Sequence, residues 1–329
     1  MDMIEPDLKF SPSGMVLTHD WGLILAEGPD AGTFLQGQLT NDVLLLPPGQ
    51  ARFAGYCSAK GRLLASFIVL KISQEKFILV CQQDLLQATL KRLSMFVMRA
   101  KVKLSDATGL YETHGLLGTA ADQACPSLTA ELPWKACVEG EGGFVKLHSA
   151  MNSGLKVSRL LWIGLKTDAA TDAFLSQSIA QTTLAEWHLA EVLSGISMVH
   201  AATSEAFVPQ MLNYESVEGV SFKKGCYPGQ EVVARSQFRG TLKRRAFIVS
   251  GQAPMQAGQE IFSDEDSDQA CGLVACSASI IGAAPVDVDP HWGIVSMQTS
   301  AVSQGLRLGT ATGSQLQVSA LPYHLLEDI

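Results

Sequence analysis

Gly219-Val-Ser-Phe-Lys-Lys-Gly-Cys-Tyr-Pro-Gly-Gln-Glu-Val-Val-Ala-Arg235 is the stretch on which the reading of the whole chain turns. Pro228-Gly229 fits the two central positions of a type II turn, because proline presets its own φ and glycine accepts the positive φ that follows. Gly225 lets the backbone come close to a ligand. Cys226 lies between these two points, directly after Lys223 and Lys224. A thiol acts as a nucleophile or a ligand only as the thiolate, and adjacent cations or turn amides favour that form. Gln230 and Glu231 can orient a polar heterocycle or hold the turn. If the segment continues as a helix, Glu231 and Arg235 stand one turn apart and pair. A cysteine in a glycine turn is unlike the usual buried cysteine, so Cys226 is the candidate functional thiol.

Around this stretch the charge is uneven. Lys223, Lys224, Arg235, Arg239, Lys243, Arg244 and Arg245 are seven of the chain's 24 basic residues, and Glu231 is the single acid among them. The net charge of −8 excludes non-specific nucleic-acid binding by the whole surface. A local positive face on an acidic chain points instead to an anionic ligand or partner.

The 329 residues exceed one ordinary hydrophobic core, and 47% hydrophobic with 17% charged residues is a globular composition. Trp21 to Ala26 reads as a strand and Pro29-Asp30 as the start of a short helix carrying Phe34 and Leu35. Leu63 to Ile72 reads as a strand buried on both faces and Phe77 to Cys81 as a second. Asp84 is placed to cap the helix that follows, with Leu86, Leu90, Leu93 and Val97 inward. Residues 118 to 154 read as loops and irregular hairpins. Leu160 to Leu165 reads as a strand and Ala169 to Ala180 as a helix. Thr183-Leu-Ala-Glu186 spells a capping box for a helix with Leu184, Trp187, Ala190 and Leu193 inward and Gly195 at its end. After about Gly240, short strands alternate with Gly, Pro and Asp turns, as in a small β-barrel or sandwich.

The N-terminal Met-Asp-Met-Ile-Glu-Pro-Asp carries no secretory pattern, and no apolar run is long enough to span a bilayer. A cytoplasmic protein without membrane attachment is expected. The seven cysteines form no Cys-x-x-Cys pair, so neither a disulfide framework nor a zinc ribbon is read, and no metal ligand is assigned. Cys81 reads as an inert core thiol; Cys271 and Cys276 read as buried structural residues, with metal ligation as the alternative.

Lys224-Gly-Cys-Tyr-Pro-Gly-Gln-Glu231 resembles the signature of the YgfZ folate-binding family, Lys-Gly-Cys-Tyr-x-Gly-Gln-Glu. Phe207-Val-Pro-Gln-Met-Leu-Asn213, Gly219-Val-Ser-Phe-Lys-Lys224 and Ala234-Arg-Ser-Gln-Phe-Arg-Gly240 are similar to it as well. So are Asp20-Trp-Gly-Leu-Ile24 and Phe34-Leu-Gln-Gly-Gln-Leu-Thr-Asn-Asp42. That family looks like a relative of the glycine-cleavage T-protein (aminomethyltransferase). The resemblance implies an α+β protein whose three domains form a T-protein-like ring around a central folate channel, the last being an antiparallel β-barrel. The implied division is 1–45 with 110–240 as a discontinuous folate-binding domain, 46–109 as a ferredoxin-like domain and 241–329 as the barrel.

The implied cofactor is tetrahydrofolate or a derivative, contacted by Trp21 and Trp187, with Lys224, Gly225, Tyr227, Gln230, Glu231 and Arg235 completing the site beside Cys226. The physics agrees: a flat pterin stacks on an aromatic face, and a glutamate tail seeks basic groups. The implied role is an accessory one, supporting iron–sulfur cluster assembly or repair and tRNA modification, with iron–sulfur client proteins, among them a tRNA-modifying enzyme, as partners. The alternative is a folate-dependent one-carbon transferase. The T-protein family carries an acidic residue just after a Gly-Gly-x-x segment. The matching stretch here is Gly61-Arg-Leu-Leu-Ala65-Ser66, which supplies no carboxylate for the proton transfer, so aminomethyl transfer is disfavoured. Direct tRNA binding through Arg235 to Arg245 is the weaker reading, because the chain is acidic and lacks aromatic-rich basic motifs.

Overall fold

The computed structural model describes residues 12–152, 154–238, 242–279 and 291–326. Three of the four antiparallel sheets organise them. The first has five strands in the order Gly14–Leu17, Tyr111–Leu117, Arg159–Leu165, Gly142–Lys146, Ala136–Glu139. The second also has five, in the order Gln50–Cys57, Leu63–Ser73, Lys76–Gln82, Trp21–Glu27, Lys103–Asp106. The third closes as a six-stranded barrel of Arg244–Gly251, His291–Gln298, Gly272–Ser279, Glu260–Ser263, Leu306–Leu308 and Gln315–Ser319.

The strand Trp21–Glu27 is apolar on both faces and takes Lys76–Gln82 and Lys103–Asp106 as its neighbours. It therefore lies in the sheet of residues 50–106, whereas a boundary at 45/46 groups it with the sheet of 111–165. Asp84 does not cap the helix that follows it. A 3-10 turn at Gln83–Leu85 precedes the helix Leu86–Ser94, and the Asp84 carboxylate accepts instead from the Ala201 amide at 2.9 Å. Residues 118–154 are more regular than their weak periodicity suggests: they hold the helix Gly118–Ala124 and the hairpin of Ala136–Glu139 with Gly142–Lys146. The helix expected at Ala169–Ala180 ends at Leu175.

One large apolar core spans both open sheets and reaches the outer face of the barrel through Ala246, Ile248, Trp292 and Ile294; the barrel interior has its own core around Val249, Val274 and Val295. The helix Leu184–Leu193 joins these layers. Its capping box forms as the sequence predicts, with Glu186 N donating to Thr183 Oγ1 at 3.1 Å and Thr183 N donating to Glu186 Oε2 at 2.9 Å. Gly115 lets this helix lie close against the first sheet, since a Cβ there would stand 2.6 Å from two Trp187 ring carbons. Asn213, at φ +59°, clamps the barrel: its side chain donates to Ala246 O at 2.9 Å and accepts from Ala246 N at 3.2 Å. Among the described residues no helix is long and apolar enough to cross a membrane.

Candidate functional site

Two motifs far apart in the chain build the platform under Cys226. Ser221 N donates to Thr40 O at 3.0 Å, and Thr40 Oγ1 donates to Gly219 O and accepts from Gly55 N, both at 2.7 Å. The Asn41 amide donates to Glu218 O at 2.5 Å and to Phe53 O at 2.8 Å. Lys224 completes the clamp. Its Nζ donates to Gln36 O at 2.5 Å and Leu39 O at 2.6 Å, carbonyls left open where the helix Ala31–Gln36 ends, and it lies 4.8 Å from the Tyr227 ring centroid. Burial pulls the Lys224 ammonium down to about 8, while the charges of Asp42 and Cys226 act to raise it. Lys224 thus holds the loop in place as well as bringing positive charge to the sulfur. Lys224→Met is expected to cost about 1–3 kcal/mol, because two buried carbonyls lose their donor; a urea titration against the wild-type chain reads it, and an unchanged midpoint would remove the clamp from the account.

The turn itself has the expected form. Gln230 N donates to Tyr227 O at 3.2 Å and Gly229 takes φ +80°. The helix Gln230–Phe238 follows at once. Cys226 and Gly225 are exposed, and nothing lies within 4 Å of where a Gly225 Cβ would be, so backbone there is open to a ligand. Tyr227 is buried and Gln230 half-buried. Glu231 and Arg235 are exposed and pair with each other at 2.8 Å, which contributes little in water.

The basic segment does not form one positive face. Lys224 is buried, and Arg245 is buried against Glu215 and donates to Leu326 O at 2.8 Å. Lys223 and Lys243 are exposed and Arg244 is half-buried; Arg239 and Gly240 lie outside the described residues.

Trp21 and Trp187 meet edge to face, with ring centroids 6.0 Å apart and 66° between planes. Both are buried, at 2% and 0% exposure, so neither presents an open face for stacking. Arg159 covers Trp187 at 4.6 Å from guanidinium carbon to ring, and also donates to Ser194 Oγ at 3.0 Å and faces Glu191 at 3.6 Å. What this cluster leaves open is its N–H edges. Trp21 Nε1, Trp187 Nε1 and Arg159 Nε are buried donors with no acceptor among the described residues. Buried donors are almost always satisfied, so three in touching side chains mark a place for an acceptor-rich group. Burial raises Glu191 to about 7, against the pull of Arg159 and His188, and lowers Arg159 to about 10. His148, beside Arg159, is lowered to about 4 by burial and by that charge. His188 and Asp20 pair at 2.7 Å next to Glu191.

Arg159 and Glu191 escaped the sequence reading. Their signal is faint: a lone cation opening the apolar run Leu160 to Leu165, and a lone acid late on the apolar helix of Trp187. At the position where the T-protein family has its acid, Ala65 is fully buried and the Ser66 hydroxyl accepts from Val199 N at 2.7 Å. An open cleft of about 370 Å³, bounded by Pro47, Pro48, Arg52, Trp134, Lys135 and Glu218, flanks the platform near Asn41. Cys81 is a core thiol raised to about 12 by burial, Cys271 is buried, and Cys276 is raised to about 12 by burial.

Residues 13–153 match the model of the GCVT N-terminal domain. Among solved structures, the chain is similar to the glycine cleavage system aminomethyltransferase T from Bartonella henselae, with TM-score 0.68 over 97% of this chain and 89% of that one, at 15% identity. This shows the T-protein-like fold. Among curated proteins, three named tRNA-modifying protein YgfZ are similar. That of Photobacterium profundum is 30% identical, covering 74% of this chain and 72% of its own. That of Vibrio atlanticus is 32% identical over 72% and 70%. That of Photorhabdus laumondii is 29% identical over 96% and 94%. With the fold, the cysteine loop and these relatives in agreement, the chain belongs to the YgfZ family.

Proposed function

We propose that this chain is a tetrahydrofolate-binding accessory protein that supports iron–sulfur cluster maintenance and tRNA modification through the Cys226 thiol. The observation that carries this reading is the set of three unanswered N–H donors on Trp21, Trp187 and Arg159. A folate offers what they lack: carbonyl and carboxylate acceptors on a partly aromatic frame. In this reading the two indoles and Arg159 hold the folate by their N–H edges rather than by stacked faces. Gly225 and Cys226 stand open to the ligand or to a client, and Lys224 keeps positive charge beside the sulfur. When bound, tetrahydrofolate would supply one-carbon and reducing chemistry. Three domains enclose the channel: the barrel from 241 onward, residues 46–109 joined by the strand Trp21–Glu27, and 110–240 with the remainder of 1–45. Client proteins carrying iron–sulfur clusters, including a tRNA-modifying enzyme, are the partners, in the cytoplasm. Aminomethyl transfer is disfavoured because position 65 is alanine and the Ser66 hydroxyl is engaged with the backbone.

Calorimetry with tetrahydrofolate tests the site. Trp187→Phe keeps most of the ring and removes the donor; losing one hydrogen bond of about 1–1.5 kcal/mol predicts roughly tenfold weaker binding. Equal affinity of the variant and the wild type would discard the site. Cys226→Ser is expected to bind tetrahydrofolate as the wild type does, yet to leave a strain lacking the gene unrescued. Full rescue by the serine variant would remove the thiol from the proposal.

A further inference from the structure

A second sulfur site lies away from the cysteine loop. Cys125 follows the helix Gly118–Ala124 and opens the turn Pro126–Leu128, buried among Leu116, Leu128, Leu160 and Phe174. Cys137 is exposed on Ala136–Glu139, the edge strand of the first sheet. Its cross-strand partner is Phe144, which packs against the same apolar cluster as Cys125, so residue 137 is in register with the Cys125 side of that edge. The turn Pro126–Leu128 packs on the edge strand. The Cys137 thiol neighbours Cys125 and acts with burial to raise it, and Ser127 Oγ is 3.4 Å from Cys125 Sγ.

We infer that Cys125 and Cys137 form a dithiol–disulfide couple whose oxidant is a low-molecular-weight disulfide. The exposed Cys137 sulfur, as thiolate, attacks one sulfur of the small disulfide; a protein–small-molecule S–S bond forms and one thiolate leaves. The Cys125 sulfur then displaces the second small thiol and closes the Cys125–Cys137 bond. The two thiol protons go to the two departing thiolates, so the protein loses two electrons and two protons and the small disulfide gains them. The order follows exposure: burial raises the Cys125 thiol and keeps it from reacting first. The closed loop would contain Pro133, Trp134 and Lys135, which form one wall of the open cleft facing Arg52 and Glu218. Oxidation would thereby tether that wall to the sheet edge.

The test uses the full chain carrying Cys226→Ser, to silence the reactive loop, incubated with oxidised glutathione, alkylated and digested. Mass spectrometry is expected to find one cross-linked peptide pair joining Cys125 to Cys137, with Cys57 and Cys81 reduced. Adding Cys125→Ser is expected to convert Cys137 into a stable glutathione mixed disulfide. The inference is overturned if the Cys125-containing chain also stops at that mixed disulfide, if Cys137 links two chains, or if both thiols stay free to alkylate.

Discussion

Arg159→Leu is expected to lose about 3–5 kcal/mol of stability at pH 8 and to recover a large part of it at pH 5. The guanidinium is buried at 3% exposure against Glu191, Ser194 and Trp187, so its removal strands a buried carboxylate. Burial already raises Glu191 from 4.5 to about 7 with the guanidinium in place, and without it the carboxyl is raised further. A carboxyl with a raised folded pKa binds protons more tightly in the folded state, so its contribution to stability is complete below about 4.5 and is lost as pH rises through 7. In the wild type that loss amounts to roughly 3 kcal/mol across the window. His148, lowered from 6.5 to about 4, acts with the opposite sign, since its stabilising contribution is present above 6.5 and is lost as pH falls through 4. In Arg159→Leu the Glu191 window extends upward, and acid restores what neutral pH removes. Urea titrations at the two pH values measure this. Adding Glu191→Gln to Arg159→Leu should restore stability at pH 8 and abolish the acid rescue. Equal losses at both pH values would show that packing, not a stranded charge, sets the cost.

Gly229→Ala is expected to destabilise the chain by roughly 2–5 kcal/mol and to displace the Cys226 loop. Residue 229 has φ +80°, and a Cβ there would stand 2.5 Å from Gly61 N and 2.6 Å from its Cα, and against the Ser58 carbonyl. These are backbone atoms of the turn joining the first two strands of the second sheet and cannot swing aside. The loop must lift, taking Tyr227 out of its burial and Lys224 off its carbonyls. A lowered urea midpoint together with faster alkylation of the buried Cys57, beneath that turn, is the expected signature. Wild-type stability would show that the loop re-seats without this contact.

What the sequence disclosed follows the range over which each interaction is encoded. The capping box at Thr183–Glu186, the Pro228-Gly229 turn and the Glu231–Arg235 pair join residues at most four positions apart, and each forms as read. The barrel was legible because its turns recur. Interactions closed by the fold were not. Asp84 found the distant Ala201 amide instead of capping its own helix, and Lys224 and Arg245 left the apparent basic face to satisfy a helix end and Glu215. The Arg159–Glu191 pair joins a strand to a helix and has no characteristic spacing. The indoles were legible as residues, but it is the fold that brings Arg159 and Gly115 over Trp187.

The closed barrel constrains how that end of the molecule meets another protein. Each of its six strands has a partner on both sides, so among the described residues the barrel presents no edge strand for an incoming chain to zip onto. Recognition there must run through loops and side chains, where single substitutions can tune it. Among the described residues, Ala136–Glu139 and Lys103–Asp106 are edge strands of the open sheets where strand addition remains possible.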